Sequence, residues 1–313
     1  MDIPKLRYGG LNKPSSFTST ETNFLFGPLD CDIFESLKIL QRIGSDSVFA
    51  TVWLASLKTE NLDVTLAVKM QEDNKKSEKE TEINRYFTMN WPDNFLIMYN
   101  SIYCEDIRVE NKKIKATFMF MEVATADLGQ MIRNQRLTPI ELIQYILNVC
   151  DSVEIMASNF LSHGDLHVGN IFIVQRNGIL KAVVGDFGES SYTLSPTTHL
   201  SDISNFIGSL VGVLRNSNLG TNFPKKEFEN IVKLINRQIG NTSREYDEFV
   251  EENLGFNSPE YSPEYSPRHS GSPMGSPEES PDISPDLAEP KIKELIVRDM
   301  QRIRELFLDV INK

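Results

Sequence analysis

Residues 163–188 read HGDLHVGNIFIVQRNGILKAVVGDFG. Two carboxylates and an amide stand in this stretch at fixed offsets. Asp165 and Asn170 lie five apart in HGDLHVGN, and Asp186 opens DFG. The apolar residues between them have the pattern of a β-hairpin. Ile171 to Val174 form one arm, Arg176-Asn177-Gly178 the turn, and Ile179 to Val184 the return arm. Asn-Gly favours the two-residue turn whose twist matches that of paired strands. Such a hairpin folds the chain back and brings Asp186 beside Asp165 and Asn170. Three oxygen donors then converge on one point. A nucleoside triphosphate with Mg²⁺ needs this chemistry: hard oxygen ligands for the ion, and a carboxylate to receive a hydroxyl proton.

The stretch resembles the protein-kinase superfamily. HGDLHVGN stands where the H-R-D-L-x-x-x-N catalytic loop stands, and DFG matches letter for letter. A chance acidic hairpin would not carry both motifs in order. The resemblance implies an α+β, two-lobed protein-kinase-like fold, with a small antiparallel β lobe and a helical large lobe. It implies ATP and Mg²⁺, with Asp165 as catalytic base and Asn170 and Asp186 as metal ligands. His167 stands where serine/threonine kinases carry lysine, and a neutral imidazole there can donate one hydrogen bond to the γ-phosphate. His163 is expected to pack within the loop. Gly164 replaces the arginine that grips an activation-segment phosphate in regulated kinases.

Upstream, Leu37 to Ile43 alternates as a strand does, followed by GSDSVFATVWLAS. In the resembled family this is a phosphate-covering loop between two strands. Here the loop has only Gly44 of three glycines, with Phe49 at the tip and Val52 in the adenine-roof position. Fewer glycines imply a stiffer loop. Ala67-Val68-Lys69 corresponds to the A-x-K strand whose lysine holds the α- and β-phosphates. A helix from Ser77 to Met89 is to supply that lysine's glutamate. Glu78, Glu80 and Glu82 compete; Glu80 has apolar residues on its own face at Ile83 and Phe87 and is preferred, with Glu82 second. Phe95 to Met98, Ile102 to Ile107 and Ile114 to Val123 are further strands. Met121 then falls at the gatekeeper position, Glu122 and Val123 present backbone to the adenine edge, and Asp127 reaches for the ribose. Thr138, Pro139 and Glu141 form a capping box for a long helix striped by Leu142, Ile146, Val149, Val153 and Met156.

Downstream, there is no A-P-E. Asp202 follows Asp186 by only 16 positions, in a helix read from Leu200 to Gly208, and is expected to brace the catalytic loop from behind. This compactness resembles RIO-type kinases, aminoglycoside and choline phosphotransferases, and serine/threonine kinases of large DNA viruses. Phe228 to Ile239 is another helix. Seven Ser-Pro dipeptides crowd residues 257–290. Proline at that density opposes helix and sheet, which predicts a disordered acidic loop open to a proline-directed kinase. A helical stripe through Ile292, Leu295, Ile296, Ile303, Leu306, Phe307 and Val310 follows. The expected organisation is an extension of low structure over 1–33, a small lobe over 34–122, a large lobe over 123–256, the Ser-Pro loop over 257–290 and an amphipathic helix over 291–313.

The chain has 313 residues, 40% hydrophobic, and a formal net charge of −12. That charge argues against broad binding to nucleic acid or anionic membranes. Cys31, Cys104 and Cys150 have no metal-ligand spacing and imply reduced thiols in a cytoplasmic setting (host cytoplasm or virion for a viral protein). The expected function is phosphorylation of serine or threonine on proteins, the chain itself included. A small-molecule phosphotransferase is the alternative, and a non-catalytic scaffold the weakest reading, because every base and metal position is filled.

Overall fold

The computed structural model describes residues 31–43, 50–59, 62–72, 75–109, 112–134, 136–217, 225–254 and 285–311. Gly44 and Phe49, and most of both the N-terminal extension and the Ser-Pro segment, lie outside them.

Five antiparallel strands make the first sheet: β1 (Leu37–Ile43), β2 (Ala50–Thr59), β3 (Leu62–Glu72), β4 (Met98–Val109) and β5 (Lys112–Met121). They run in the order β1-β2-β3-β5-β4. Helix α1 (Lys75–Asn90) crosses over from β3 and buries Glu80, Ile83, Asn84 and Phe87. Phe95 to Met98 is not a separate strand. Met98 opens β4, and the residues before it bridge to the later hairpin, where Leu96 N–H donates to the Val184 carbonyl at 2.8 Å. That hairpin is β8 (Ile171–Arg176) with β9 (Ile179–Val184), joined by Asn177 and Gly178 at φ 52° and 79°. Both positive angles belong to the turn that Asn-Gly favours. β8 also pairs with β6 (Ala126–Asp127), and β7 (Leu161–Ser162) pairs with β10 (Ser191–Tyr192).

The rest is helical. Short α2 (Leu128–Arg133) precedes α3 (Pro139–Ser158), whose Thr138–Glu141 capping box is formed and whose apolar stripe is wholly buried. Helices α4 (Pro196–Arg215), α5 (Lys225–Leu254) and α6 (Pro285–Ile311) pack around α3 in one continuous core. The architecture is therefore the two-lobed α+β arrangement of a kinase-like fold: an antiparallel sheet with one crossing helix, then a helical body.

The helix carrying Asp202 opens earlier than expected, at Pro196, so Asp202 lies within α4 and not at its start. Three further sequence expectations need correction. Helix α5 does not stop at Ile239 but runs through Gly240 to Leu254. Thr242, fully buried, donates to the Asp299 carboxylate of α6 at 2.5 Å, and Gln238 donates to the same carboxylate at 2.8 Å. Contacts with α6 outweigh the roughly 1 kcal/mol that a helical glycine costs. Helix α6 itself begins at Pro285, so residues 285–290 belong to it, with Pro290 inside its second turn. The third correction concerns the thiols. Cys31 and Cys104 form a disulfide, and only Cys150 is a free cysteine. The bond fastens a 3-10 turn (Cys31–Glu35) to β4, and Phe34 of that turn packs edge-on against Phe118 at 4.6 Å. Residues 31–33 are thus part of the small-lobe structure.

The cross-link closes a loop of 73 residues. Restricting an unfolded loop of that length is worth about 4 kcal/mol on chain entropy alone. Cys31 is solvent-exposed, so Cys31→Ser removes the bond with little loss of packing. The expected result is a clear drop in the urea midpoint, reproduced in the unchanged chain by a thiol reductant. An unshifted midpoint, with no Cys31–Cys104 peptide in a non-reducing digest, would restore the reduced-thiol expectation.

His199 in α4 is buried, and neither ring nitrogen meets a hydrogen-bond partner among the described residues. Burial alone lowers its pKa to about 4. The unfolded imidazole takes a proton near 6.5, before the folded one does, so stability is full above that value and falls as pH drops toward 4. The contribution lost over that window is about 3 kcal/mol. Urea titrations at pH 7 and pH 4.5 should show a smaller acid loss for His199→Leu than for the unchanged chain.

Candidate active site

The site forms where the first sheet meets the β8–β9 hairpin. Lys69 on β3 is its most constrained side chain. Its Nζ donates to Glu80 Oε1 at 2.6 Å and to Asp186 Oδ1 at 2.8 Å. Burial opposes the lysine charge, but the Glu80 and Asp186 carboxylates outweigh it and hold the ammonium above its ordinary pKa. Asp186 shows the converse: burial pushes its carboxyl up, and Lys69 pulls it further down. Glu80 is 2% exposed and accepts a second hydrogen bond from Gln71 at 2.5 Å. Glu78 and Glu82 are on the exposed face of α1.

The loop after β7 carries Asp165, His167 and Asn170. Its main chain is gripped by Asp202 of α4, whose carboxylate accepts from Ser162 Oγ at 2.9 Å, His163 N at 2.8 Å and Gly164 N at 3.0 Å. His163 is fully buried and pins the loop to the strand before Asp186. Its Nδ1 accepts from Asp165 N at 3.3 Å, so the ring proton sits on Nε2 and bonds the Gly185 carbonyl at 3.1 Å. Burial lowers its pKa and keeps the ring neutral. His163 is a packing residue with a defined tautomer.

Asn170 Nδ2 donates to the Asp165 carbonyl at 2.9 Å, leaving Oδ1 as an acceptor. His167 caps the 3-10 turn Val168–Asn170 through Nδ1, which accepts from Gly169 N at 3.0 Å. Its proton therefore sits on Nε2, 3.6 Å from Asp165 Oδ2. The Asp165 and Asp186 side chains are each about half exposed, at 56% and 46%. Asp186 holds a φ of 65°, unusual for a residue with a side chain and tolerated best by Asp and Asn.

Above the hairpin, an apolar cluster of Ala67, Leu96, Met98, Met119, Met121, Val174 and Val183 joins the two parts, with Val52 and Phe172 partly buried against it. Val52 is cross-strand from Lys69. Glu122 follows β5 with a buried side chain, and Val123 is exposed. Asp127 caps α2, accepting from Gln130 N at 2.7 Å.

Sequence reasoning missed two partners. Arg176, read only as part of a turn, is an anchor for Glu122. Lys76 of α1 pairs with Glu189, just past DFG. Both join residues far apart in the chain, where no local pattern exists to find them.

The donors suit a divalent ion shared with phosphate. Among the described residues, no group of three or more His, Cys, Asp or Glu side chains could hold a metal by itself. A carboxylate plus an amide oxygen is the sparse ligand set with which Mg²⁺ is held when phosphates complete its shell. No helix among the described residues is long and apolar enough to cross a membrane.

An antiparallel sheet over a helical body, with a buried lysine–glutamate pair joined to Asp186 beside the loop of Asp165 and Asn170, defines the class of two-lobed phosphotransferases. A family model of protein tyrosine and serine/threonine kinases matches residues 37–203, more than half of the chain, and the chain belongs to that family. Membership implies use of ATP and a divalent metal in general. No curated protein matches the chain.

Proposed function

We propose that the chain is a compact serine/threonine protein kinase that transfers the γ-phosphoryl group of ATP to protein hydroxyls. The observation that carries this reading is the Lys69–Glu80–Asp186 linkage facing Asp165 and Asn170. Asp165 takes the acceptor proton as the new oxygen–phosphorus bond forms and the bond to the β-phosphate oxygen breaks. Lys69, held by Glu80, positions the α- and β-phosphates. Asn170 and Asp186 would hold Mg²⁺, which neutralises phosphate charge when bound. His167 presents its Nε2 proton beside the base, within the space a γ-phosphate would share. Val52 and Ala67 would roof the adenine, with Glu122 and Val123 at its edge. Catalysis is then placement plus electrostatics.

The chain after DFG supports a kinase that needs no activating phosphate. Ser190 is fully buried and donates to the His163 carbonyl at 3.2 Å, while Thr193 N donates to the Phe160 carbonyl at 2.8 Å. β10 pairs with β7. These bonds fix the segment without any phosphate-reading arginine. Compactness of this kind accords with the compact form of RIO-type and viral kinases, which the chain resembles, and the Ser-Pro segment supplies serines in cis. The same short segment also favours the second reading, a small acceptor, because it removes the platform on which regulated kinases dock a peptide.

Asp186→Asn should lose Mg²⁺-dependent ATP binding and turnover together. Asp165→Asn should keep ATP binding and lose a factor of about 10² or more in transfer, since the base acts after binding. Near-normal turnover of Asp165→Asn would falsify the assignment of the base.

Substrate class is read by labelled ATP with a protein panel and a small-molecule panel, followed by phosphoamino-acid analysis. Label on serine or threonine is the expected outcome. Label confined to an aminoglycoside, choline or a sugar would reverse it, and label on tyrosine would overturn the Ser/Thr specificity.

A further inference from the structure

Arg176 ends β8, and its side chain is only 14% exposed. Its guanidinium donates to four oxygens. Nη1 meets the Pro92 carbonyl, Nη2 meets the Phe95 carbonyl at 2.9 Å and Glu122 Oε1, and Nε meets Glu122 Oε2 at 3.2 Å. The acceptors come from two segments, the connection between α1 and β4 and the residue that follows β5. The donor comes from a third, the hairpin that runs between Asn170 and Asp186.

Glu122 is held on every side. Its carboxylate also accepts from Ile97 N at 2.7 Å, and its own N–H donates to the Ile97 carbonyl at 2.9 Å. Its carbonyl and the main chain of Val123 are the groups placed at the adenine edge under the reading above. A carboxylate this buried needs a compensating cation. The planar fork of arginine can reach both carboxylate oxygens and two carbonyls at once; a lysine ammonium is a single point and cannot.

We infer that Arg176 is a positioning residue for base recognition: acting through Glu122, it sets the main chain of residues 122 and 123 against the nucleotide base. This inference rests on the nucleotide-site reading and deepens it. Arg176 need not touch the nucleotide, and none of its four hydrogen bonds goes to Lys69, Glu80, Asp165, Asn170 or Asp186. Its loss should therefore be felt by the base and not by the phosphates.

The test is equilibrium binding of ATP, GTP and inorganic tripolyphosphate, each with Mg²⁺, to the full-length chain and to Arg176→Met, Arg176→Lys and Glu122→Gln. Arg176→Met should weaken ATP about tenfold or more, the loss expected when charged hydrogen bonds that order a site are removed. Arg176→Lys should rescue little of it. Tripolyphosphate affinity should stay within about twofold, and the preference for ATP over GTP should shrink. In transfer assays KM for ATP should rise with kcat changed by less than about threefold. Glu122→Gln keeps the shape of the site and should show the same base-dependent loss, which covers the case of an Arg176→Met chain that fails to fold. Unchanged ATP affinity in a folded Arg176→Met, or equal losses for ATP and tripolyphosphate, would overturn the inference. ATP binding that Asp186→Asn abolishes but the Arg176 and Glu122 variants leave intact would sink the inference and spare the nucleotide site. Failure of the unchanged chain to bind ATP at all would overturn both.

Discussion

The ammonium of Lys69 is the point on which the two halves of the molecule are referenced to one another. It is buried on β3, and each of its two carboxylate partners belongs to a different element: Glu80 to α1 and Asp186 to the chain leaving the hairpin. A lone buried charge would cost several kcal/mol, and a buried pair is favourable only when geometry and further hydrogen bonds are good. Here Gln71 supplies one such bond to Glu80. One cation satisfied by two anions leaves the cluster net negative. A phosphate with its divalent ion is the kind of guest that completes such a set.

A second constraint works on the loop from the opposite side. Asp202 gathers three donors from residues 162–164, and His163 carries the connection on to Gly185. Phe187 lies beside this histidine, with ring centroids 5.5 Å apart, and packs in turn against Phe87 of α1 and against Phe95. An unbroken line of apolar and aromatic contact thus runs from the helix bearing Glu80 to the loop bearing Asp165. The polar network sets orientation, and the aromatic stack sets distance. Close-packed interiors transmit displacement, so neither can shift alone.

What could be read from the sequence was whatever chemistry and periodicity confine to a short stretch. The loop residues stand out because a base and an amide are needed at a local offset, and Asn177-Gly178 announces the turn that brings Asp186 back. Ile83 and Phe87 mark which face of α1 is inward, and the geometry duly finds Glu80 rather than Glu82 on that face. Long-range partners leave no such mark. Nothing near Arg176 in the chain points to Glu122, 54 residues away, and nothing near Cys31 points to Cys104. Gly240 reads as a helix end because intrinsic propensity is local. The Asp299 that keeps the helix going lies 57 residues beyond Thr242.

Gly164 sits at φ 78°, and a side-chain carbon built there would lie 2.5 Å from the carbonyl oxygen of Glu189. No residue but glycine fits without moving main chain on one side or the other. The position is the one where regulated kinases carry a phosphate-gripping arginine. A single codon change would therefore not confer phosphate control on this chain: the arginine would have to arrive together with a rerouted segment after DFG. A side chain at position 164 and the present path of the main chain at Glu189 are mutually exclusive.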